Sequence, residues 1–418
     1  MAEIQPFRGV LYRVPESDLP RVLAPPYDVI SPALQAELYD RDPRNVVRLV
    51  LNREAGEAGY EEAGRTYRSW IAEGTLAADP APALYLLEQS FVVEDRTLRR
   101  YGLLARFRAE DAAARAILPH EQTRKAAKED RFRVLKATGA NFSPIFLMFP
   151  DPEARFSPLA AEVVGVAPTL RYADENGVGN GLWRITDAGL IGAFTKLLGA
   201  TRAYIADGHH RHATALRYRD EVGPEGAWTL GYFTPMGAPG LLVLPYHRLL
   251  SAGPSVEEAR SKLEAGGFRV AAAPSPAEAA RAAGASKATH AFALAAPGAT
   301  ALVAEALPEA LDLLEADDPP SLRALDTYFF HNAVMPRVLS VPEDAVSYVH
   351  SFAEAEDALA RGACRLAALM RATPVHQIVD VADAGESMPA KSTFFHPKLP
   401  SGLVIHPLAI APSGPRLR

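Results

Sequence analysis

Acidic, basic and imidazole side chains are concentrated in residues 207–212, which read Asp-Gly-His-His-Arg-His. The apolar run 203–206 predicts a short buried strand, and residues 213–218 predict the start of a helix. Gly208 permits a tight turn between the two. Backbone N–H groups at a helix start are unpaired and carry partial positive charge, so they can hold an anion whose oxygens Arg211 clamps from the side. The segment therefore predicts a phosphate-binding turn.

The histidines of this run divide into different expected roles. His210, beside Arg211, is the better candidate for a general base or a phosphate donor, because imidazole titrates near neutral pH. His212 is best explained by a bond to a neighbouring carbonyl group. Together with His209 they could bind zinc, but a structural zinc site needs four tetrahedral ligands and no cysteine lies nearby. Phosphate is therefore favoured, and a metal-dependent hydrolase that uses the histidine cluster is kept as an alternative.

A second polar segment covers residues 118–125, which read Leu-Pro-His-Glu-Gln-Thr-Arg-Lys. It begins like a zinc-protease helix, but position 124 is Arg where that motif requires His. His120 and Glu121 remain as candidate acid–base groups next to cations that suit a phosphorylated ligand. A solvated charge run that opens a helix over 128–137 explains the same residues equally well.

Further polar groups lie near both ends of the chain. Lys391 belongs to a polar segment, 385–399, that ends like a P-loop but lacks the glycine-rich lead, so it is kept only as a lysine that reaches a phosphate. Asp28 lies on a proline-stiffened loop before a predicted helix, where it either serves a site or caps a turn. His247 and Arg248 follow the predicted strand 241–244.

The composition limits the classes of function. The chain has 418 residues, 48% of them hydrophobic, and a formal net charge of −6. Nucleic-acid binding is therefore not expected, because it usually requires a basic excess. No apolar run is long enough for a membrane span and no leader is visible, so we expect a cytoplasmic protein. The single cysteine, Cys364, is expected to be a buried apolar residue.

Helical and strand patterns alternate along the chain, which predicts an α/β fold with mixed α+β character. We expect one α/β region over 1–250 that carries the phosphate-binding turn, and a second over 251–418 that contributes the segment with Lys391. The composition shifts towards Ala, Gly and Pro after 250, but no linker marks a sharp boundary there.

Six segments, taken together, resemble the DUF1015 family of uncharacterised proteins over nearly the whole chain. Two departures from the family pattern are visible, His212 where Tyr is usual and Tyr246 where Thr is usual. The segments are Ala-Pro-Pro-Tyr-Asp-Val-Ile-Ser at 24–31, Leu-Pro-His-Glu at 118–121, Thr-Gly-Ala-Asn at 138–141, Asp-Gly-His-His-Arg at 207–211, Leu-Pro-Tyr-His-Arg at 244–248 and Met-Pro-Ala-Lys-Ser-Thr at 388–393.

Residues 207–211 are also similar to the phosphate-binding turn of the ParB and sulfiredoxin superfamily, which includes free serine kinases. The resemblance implies a nucleotide-binding core of that kind, in which residues 208–211 wrap the nucleotide phosphates and Arg211 is the fixed cation. DNA binding by analogy to ParB would require salt-dependent duplex affinity.

The expected function is therefore a nucleotide-binding phosphotransferase that acts on a small hydroxyl metabolite such as serine or phosphoserine. A non-catalytic nucleotide-binding regulator is the main alternative. ATP or ADP with Mg²⁺ would be the cofactors, and no oligomeric state is indicated. Phosphoryl transfer needs cations for the phosphate oxygens, a base for the hydroxyl and oxygen ligands for Mg²⁺.

The sequence offers candidates for each of these roles, and their convergence in space is a hypothesis. The cations are Arg211, Arg248 and Lys391, with His209, His247 and the Gly208 backbone as further nucleotide contacts. The base is His210 or Glu121, with His120 beside it. The Mg²⁺ ligand is Asp207 or Asp28.

Overall fold

The computed structural model describes residues 1–54, 56–93, 95–123 and 125–408, without the side chains of 125–127 and 225. Two compact units are present. The first unit contains Met1–Pro119, Thr123–Leu242 and the described residues from Pro397 onward, and the second contains His120–Gln122 and Val243–His396. The division into 1–250 and 251–418 stays a prediction.

The first unit is built on a large mixed sheet, which agrees with the predicted mixed α/β class. The strands of the first unit up to residue 235 are β1 (Ile4–Gln5), β2 (Val10–Tyr12), β3 (Leu76–Ala78), β4 (Leu84–Val93), β5 (Arg96–Arg108), β6 (Ile117–Leu118), β7 (Ala140–Asn141), β8 (Ile145–Phe149), β9 (Leu170–Ala173), β10 (Gly179–Ile185), β11 (Ala203–Asp207) and β12 (Trp228–Pro235). Its helices are α1 (Leu19–Val22), α2 (Pro32–Arg41), α3 (Val47–Val50), α4 (Glu57–Ala72), α5 (Lys125–Thr138), α6 (Phe156–Val164), α7 (Ala188–Gly199) and α8 (His209–Val222).

Eight strands of this sheet run in the order β6-β11-β8-β12-β5-β4-β10-β9, and β1 pairs with β5. The pairs β11 with β6 and β12 with β8 are parallel, whereas β11 with β8 is antiparallel. Strands β4 and β5 form an antiparallel hairpin. Side chains alternate across a strand, and on one face Leu103, Phe107, Phe149 and Ile205 form a core with α6 and α7.

The second unit is a six-stranded antiparallel sheet covered on both faces. Its strands follow the order β15-β17-β16-β19-β14-β18. Two buried clusters, one on each face, show the alternation expected of a strand that is covered on both sides. The elements are β13 (Leu242–Leu244), β14 (His247–Leu250), β15 (Phe268–Ala273), β16 (Ala291–Ala295), β17 (Ala301–Ala306), β18 (Val346–Val349), β19 (Leu366–Met370), β20 (Phe394–His396), α9 (Val256–Ala265), α10 (Pro276–Ala285), α11 (Pro320–Arg323), α12 (Asp326–Phe329), a π-helical segment (Phe330–Val338), α13 (Phe352–Ala360) and α14 (Val375–Ala384).

After His396 the chain belongs to the first unit again, where β21 (His406–Pro407) pairs with β7. Ser401 also forms an isolated bridge with Ala24. Within the described part of the chain, no helix combines the length and the apolar character needed to cross a membrane.

Candidate functional site

The segment 207–211 folds into the predicted strand, turn and helix. Strand β11 ends at Asp207, and α8 begins at His209. Gly208 between them has a φ of 100°, which is in the left-handed region that favours glycine. A Cβ atom at Gly208 would lie 2.9 Å from both Cζ and Nε of Arg211. The turn thus requires glycine at position 208 for two reasons, its left-handed backbone angle and the close approach of the Arg211 guanidinium group.

Asp207 lies between two cations. Its Oδ1 accepts a hydrogen bond of 2.7 Å from Nζ of Lys398, and its Oδ2 accepts one from Arg211. The exposed fractions of the three side chains are only 16% for Asp207, 12% for Lys398 and 13% for Arg211. Burial by itself would raise the pKa of Asp207, but Lys398 and Arg211 hold it well below its usual range. The three groups therefore carry one net positive charge near neutral pH.

The positive charge lies at the N-terminus of a fourteen-residue helix. Gly208 provides no side-chain cap for α8, so the helix dipole and its first N–H groups add to the attraction for an anion. His210 is half-buried there, and its carbonyl accepts a 2.8 Å bond from Thr214 Oγ1. Anion binding at this turn stays a prediction.

Arg211 also borders a small cavity of about 60 Å³ within the first unit. The carbonyl of Pro144 accepts a hydrogen bond from Arg211. Tyr27 and Arg131 line the same cavity, and the Arg131 guanidinium lies 4.0 Å from the centre of the Tyr27 ring. Burial, together with Asp28, raises the pKa of Tyr27 to about 12. Residues from three of the resembling segments, 24–31, 138–141 and 207–211, thus meet around a cavity whose lining includes Arg131 and Arg211.

Hydrogen bonds from distant residues to Lys398 and to the residues near it in sequence hold this lysine in place. Arg100 donates a 2.6 Å hydrogen bond to the Pro397 carbonyl, and Gln89 donates one of 3.2 Å to the Lys398 carbonyl. Ser401 Oγ lies 2.6 Å from Ser143 Oγ. Lys398 was not predicted from the sequence, because Lys391 lies in the same polar segment beside a P-loop-like ending and no spacing rule relates position 398 to position 207.

Asp28 is exposed in the 3-10 turn Tyr27–Val29, next to the cavity residue Tyr27. His209 is buried at the start of α8. The described residues include no group of three His, Cys, Asp or Glu side chains placed to hold a metal ion. The metal-dependent hydrolase that uses the histidine cluster stays a prediction.

The other candidate residues belong to the second unit. The His120 carbonyl accepts a 2.8 Å bond from the backbone N–H of Met388, and Glu121 forms a bridge with Met388. Lys391 has a φ of 60°, which is strained for lysine, and its Nζ lies 3.5 Å from the Tyr246 hydroxyl. The structure thus places residues of two predicted segments, 118–121 and 388–393, in the second unit.

His247 and Arg248 on β14 are internal groups. Arg248 donates to the carbonyls of Tyr246 and Lys391, the latter at 3.2 Å, and to His331 Nε2 at 3.3 Å. Burial lowers the pKa of Arg248 to about 10. His247 Nδ1 accepts from the backbone N–H of Met370 at 3.2 Å, and burial lowers its pKa to about 4. Their contacts with a nucleotide stay predictions.

His212 has the structural role that the sequence favoured for it, although its contact is a ring and not a carbonyl group. It is buried and stacked on Phe107, with ring centres 6.4 Å apart. Burial, reinforced by the charge of Arg219, lowers the pKa of His212 to about 4, while Asp111 opposes this shift.

Replacement of His212 by leucine is expected to reduce the acid sensitivity of the fold. The unfolded chain takes up a proton near pH 6.5, but folded His212 takes it up only near pH 4. The contribution of neutral His212 to the free energy of unfolding is thus fully present above pH 6.5. It decreases by about 1.4 kcal/mol per pH unit as the pH falls towards 4. Urea unfolding from pH 7 to 4 should show a shallower decline in His212→Leu, whereas a slope equal to that of the wild type would contradict this assignment.

A family model described as "Protein of unknown function (DUF1015)" matches residues 4–328. The chain therefore belongs to the DUF1015 family. No curated protein matches it.

Among solved structures, the chain is similar to a free serine kinase variant in complex with ADP, with 16% identity, a TM-score of 0.35 and coverage of 67% of this chain and 83% of that one. It is also similar to C-terminally truncated SbnI from Staphylococcus aureus, with 11% identity, a TM-score of 0.36 and coverage of 72% and 88%. A conserved hypothetical protein from Pyrococcus furiosus has 16% identity, a TM-score of 0.34 and coverage of 68% and 90%. The likeness to the ParB and sulfiredoxin superfamily stays a prediction.

Proposed function

We propose that this protein binds nucleotide phosphates at the turn 207–211 of the first unit and transfers a phosphoryl group between the nucleotide and a small hydroxyl compound. One observation carries the proposal. Asp207, whose side chain is only 16% exposed, is held between Lys398 and Arg211 at the uncapped start of α8, which leaves a net positive charge where helix N–H groups converge. Phosphate is the ligand that this combination suits best.

The residues of the turn have separate roles in the proposed reaction. The N–H groups of 209–211 and the cations Lys398 and Arg211 would offset charge on the transferred phosphoryl group, which is the main requirement of such transfers. Asp207 stays ionised because of its lowered pKa and orients both cations.

With ATP and serine, the serine hydroxyl oxygen would bond to the terminal phosphorus while the bond to the ADP oxygen breaks. His210 would accept the hydroxyl proton, so that the products are phosphoserine, ADP and a proton that leaves through the imidazole. His210 lies in the first turn of α8, next to the proposed phosphate position. It is half-buried, whereas His209 and His212 of the same turn are buried.

Mg²⁺ fits this site only in part. Each carboxylate oxygen of Asp207 already accepts a hydrogen bond from a cation, so the oxygen atoms of exposed Asp28 are the better protein ligands. Mg²⁺ usually takes few carboxylates and completes its shell with phosphate oxygens and water. When bound, it would supply further charge neutralisation for the phosphates.

Phosphorus NMR tests whether transfer occurs. The protein would be incubated with ATP, Mg²⁺ and L-serine, and separately with phosphoserine and ADP. We expect a phosphoserine signal in the first mixture. The rate at which phosphoserine forms should fall by about a hundredfold in His210→Ala. His376→Ala, which replaces an exposed histidine of the second unit, is the matched control and should retain the wild-type rate.

Two outcomes would contradict parts of the proposal. Nucleotide binding without any transfer to serine or to other small hydroxyl compounds would favour the alternative of a non-catalytic regulator. Transfer that persists unchanged in both His210→Ala and Arg211→Ala would place the chemistry elsewhere in the molecule.

A further inference from the structure

A second and much larger cavity lies in the first unit, with a volume of about 690 Å³. It opens between β5, helix α6 and residues 235–239. Its lining is mostly apolar and includes Leu98, Tyr101, Phe156, Val164 and Pro235. Cavities of this size and character typically enclose small ligands.

This cavity is distinct from the phosphate-binding turn. In the sheet, Pro235 at the end of β12 pairs with Phe149, the last residue of β8. Asp207 pairs with Phe146, near the start of β8. The two sites therefore lie towards opposite ends of β8, and one small molecule that fills the cavity would leave the turn free.

The apolar wall of the cavity continues the core between the sheet and α6. Phe156 and Ala160 belong to that core, and Tyr101 and Val164 pack against it. A ligand that enters here would cover apolar surface that the core leaves open. Apolar burial is the main favourable term for such binding, so the ligand requires an apolar body.

The polar groups of the lining indicate the sign of charge that the ligand carries. The Asp151 carboxylate accepts backbone hydrogen bonds of 3.0 Å from Arg155 and 2.9 Å from Phe156, so it is satisfied at the start of α6. The Tyr101 hydroxyl donates to Glu88 at 2.6 Å. Arg99 is an exposed cation of the lining, which an anionic group on the ligand would complement.

The lip of the cavity is strained. Ala154 lines the cavity with a φ of 49°, in the left-handed region that costs an alanine about 1 kcal/mol or more. Its backbone N–H donates to the Asp151 carbonyl at 3.1 Å, in the loop whose Asp151 side chain also caps α6. Strain that persists at a cavity lip is a recurrent property of ligand-binding loops.

We propose that this cavity is a second ligand site, for a small amphiphilic anion with an aliphatic or aromatic body and a carboxylate, sulfonate or phosphate group. The apolar body lies against Leu98, Phe156 and Val164, and the anionic group pairs with Arg99. The site goes beyond the proposed phosphoryl transfer and does not depend on it.

Two fluorescent probes of similar shape test the proposal in the full-length protein. Anilinonaphthalene sulfonate has an apolar body with an anionic group, and phenylnaphthylamine has the same body without charge. We expect the wild type to bind one molecule of either probe. Ala161→Trp fills the cavity from an exposed position of its lining and should weaken both probes at least about tenfold, which corresponds to the loss of a well-packed apolar contact.

Arg99→Gln separates charge from shape. It should weaken the sulfonate by about two- to fivefold, as expected for an exposed ion pair, and leave the neutral probe unchanged. Glu162→Trp adds the same ring at an exposed position of α6 outside the lining and should change neither affinity. ADP should not displace either probe.

Three results would overturn the proposal. One is unchanged binding of both probes in Ala161→Trp, and another is an equal effect of Arg99→Gln on the charged and the neutral probe. The third is displacement of the probes by ADP in competition, which would merge this cavity with the nucleotide site.

Discussion

Replacement of Asp207 by alanine is expected to lower the free energy of unfolding by about 3–5 kcal/mol. The substitution removes the only carboxylate that contacts both Lys398 and Arg211 in the described residues, and each of these cations is less than 15% exposed. Two largely buried cations would then lose the carboxylate that contacts both of them, which costs far more than the loss of an exposed ion pair.

Urea unfolding at neutral pH measures this loss. Asp220→Ala, on the helix α8 that follows Asp207, is the matched control, because the carboxylate of Asp220 is 65% exposed and its pair with Arg219 is a surface contact. We expect a loss of less than about 1 kcal/mol for that variant. A loss for Asp207→Ala as small as that of the control would show that the two cations do not depend on this carboxylate.

The same variant has a distinct pH dependence. The folded-state pKa of Asp207 lies below the unfolded value of about 3.9, so its contribution to stability is complete above that value and is lost as pH falls through the folded pKa. Wild-type stability should therefore fall more steeply below about pH 4 than that of Asp207→Ala. Parallel curves in this range would contradict the lowered pKa.

Replacement of Arg100 by alanine is expected to cost roughly 3 kcal/mol and to release the segment that carries Lys398. Arg100 has no exposed surface. Its guanidinium lies 4.6 Å from the centre of the Phe146 ring, and it donates to the carbonyl of Pro397 and to Gln89. The alanine substitution would leave a cavity and would remove the hydrogen-bond donor to the Pro397 carbonyl.

Arg100→Met separates packing from hydrogen bonding. Methionine fills most of the space without a buried charge, so its loss of stability should be much smaller. Both variants should increase amide hydrogen exchange in residues 398–402, whereas Arg96→Ala, at an exposed position of β5, should leave exchange there unchanged. Protection of 398–402 that stays at the wild-type level in both variants would show that Arg100 does not position Lys398.

The sequence predicted those features of the site that depend on neighbouring residues. The run 203–218 contains an apolar strand, a glycine and a helix start, and each has a local signature. The hairpin of β4 and β5 and the N-cap of α2 at Ser31, which accepts a 3.2 Å bond from the N–H of Leu34, follow from similar local rules.

The features that the sequence did not predict depend on contacts between distant residues. Lys398 meets Asp207 across 191 positions, and Arg100 meets Pro397 across 297. No periodicity or turn rule relates such positions. The same limit applies to residues 120–122, which belong to the second unit although they lie between two segments of the first.

Arg211 has contacts in the structure that its predicted role did not include. The sequence assigned it to an incoming anion, but its guanidinium already binds Asp207 and the carbonyl of Pro144. Its backward fold over Gly208 follows from the absent Cβ and the left-handed turn. The side chain therefore orients the turn as well as contributing charge to it.

Isothermal titration calorimetry with ADP, on the wild type and on Lys398→Met, tests the phosphate-binding turn most directly. Methionine keeps the length of the side chain but removes the charge. We predict that the wild type binds ADP and that Lys398→Met binds it at least about tenfold more weakly, which is a loss of about 1.4 kcal/mol. Lys196→Met, at an exposed position of α7, should bind ADP as the wild type does. Equal ADP affinity in Lys398→Met and the wild type would contradict the claim that nucleotide phosphates bind at this turn.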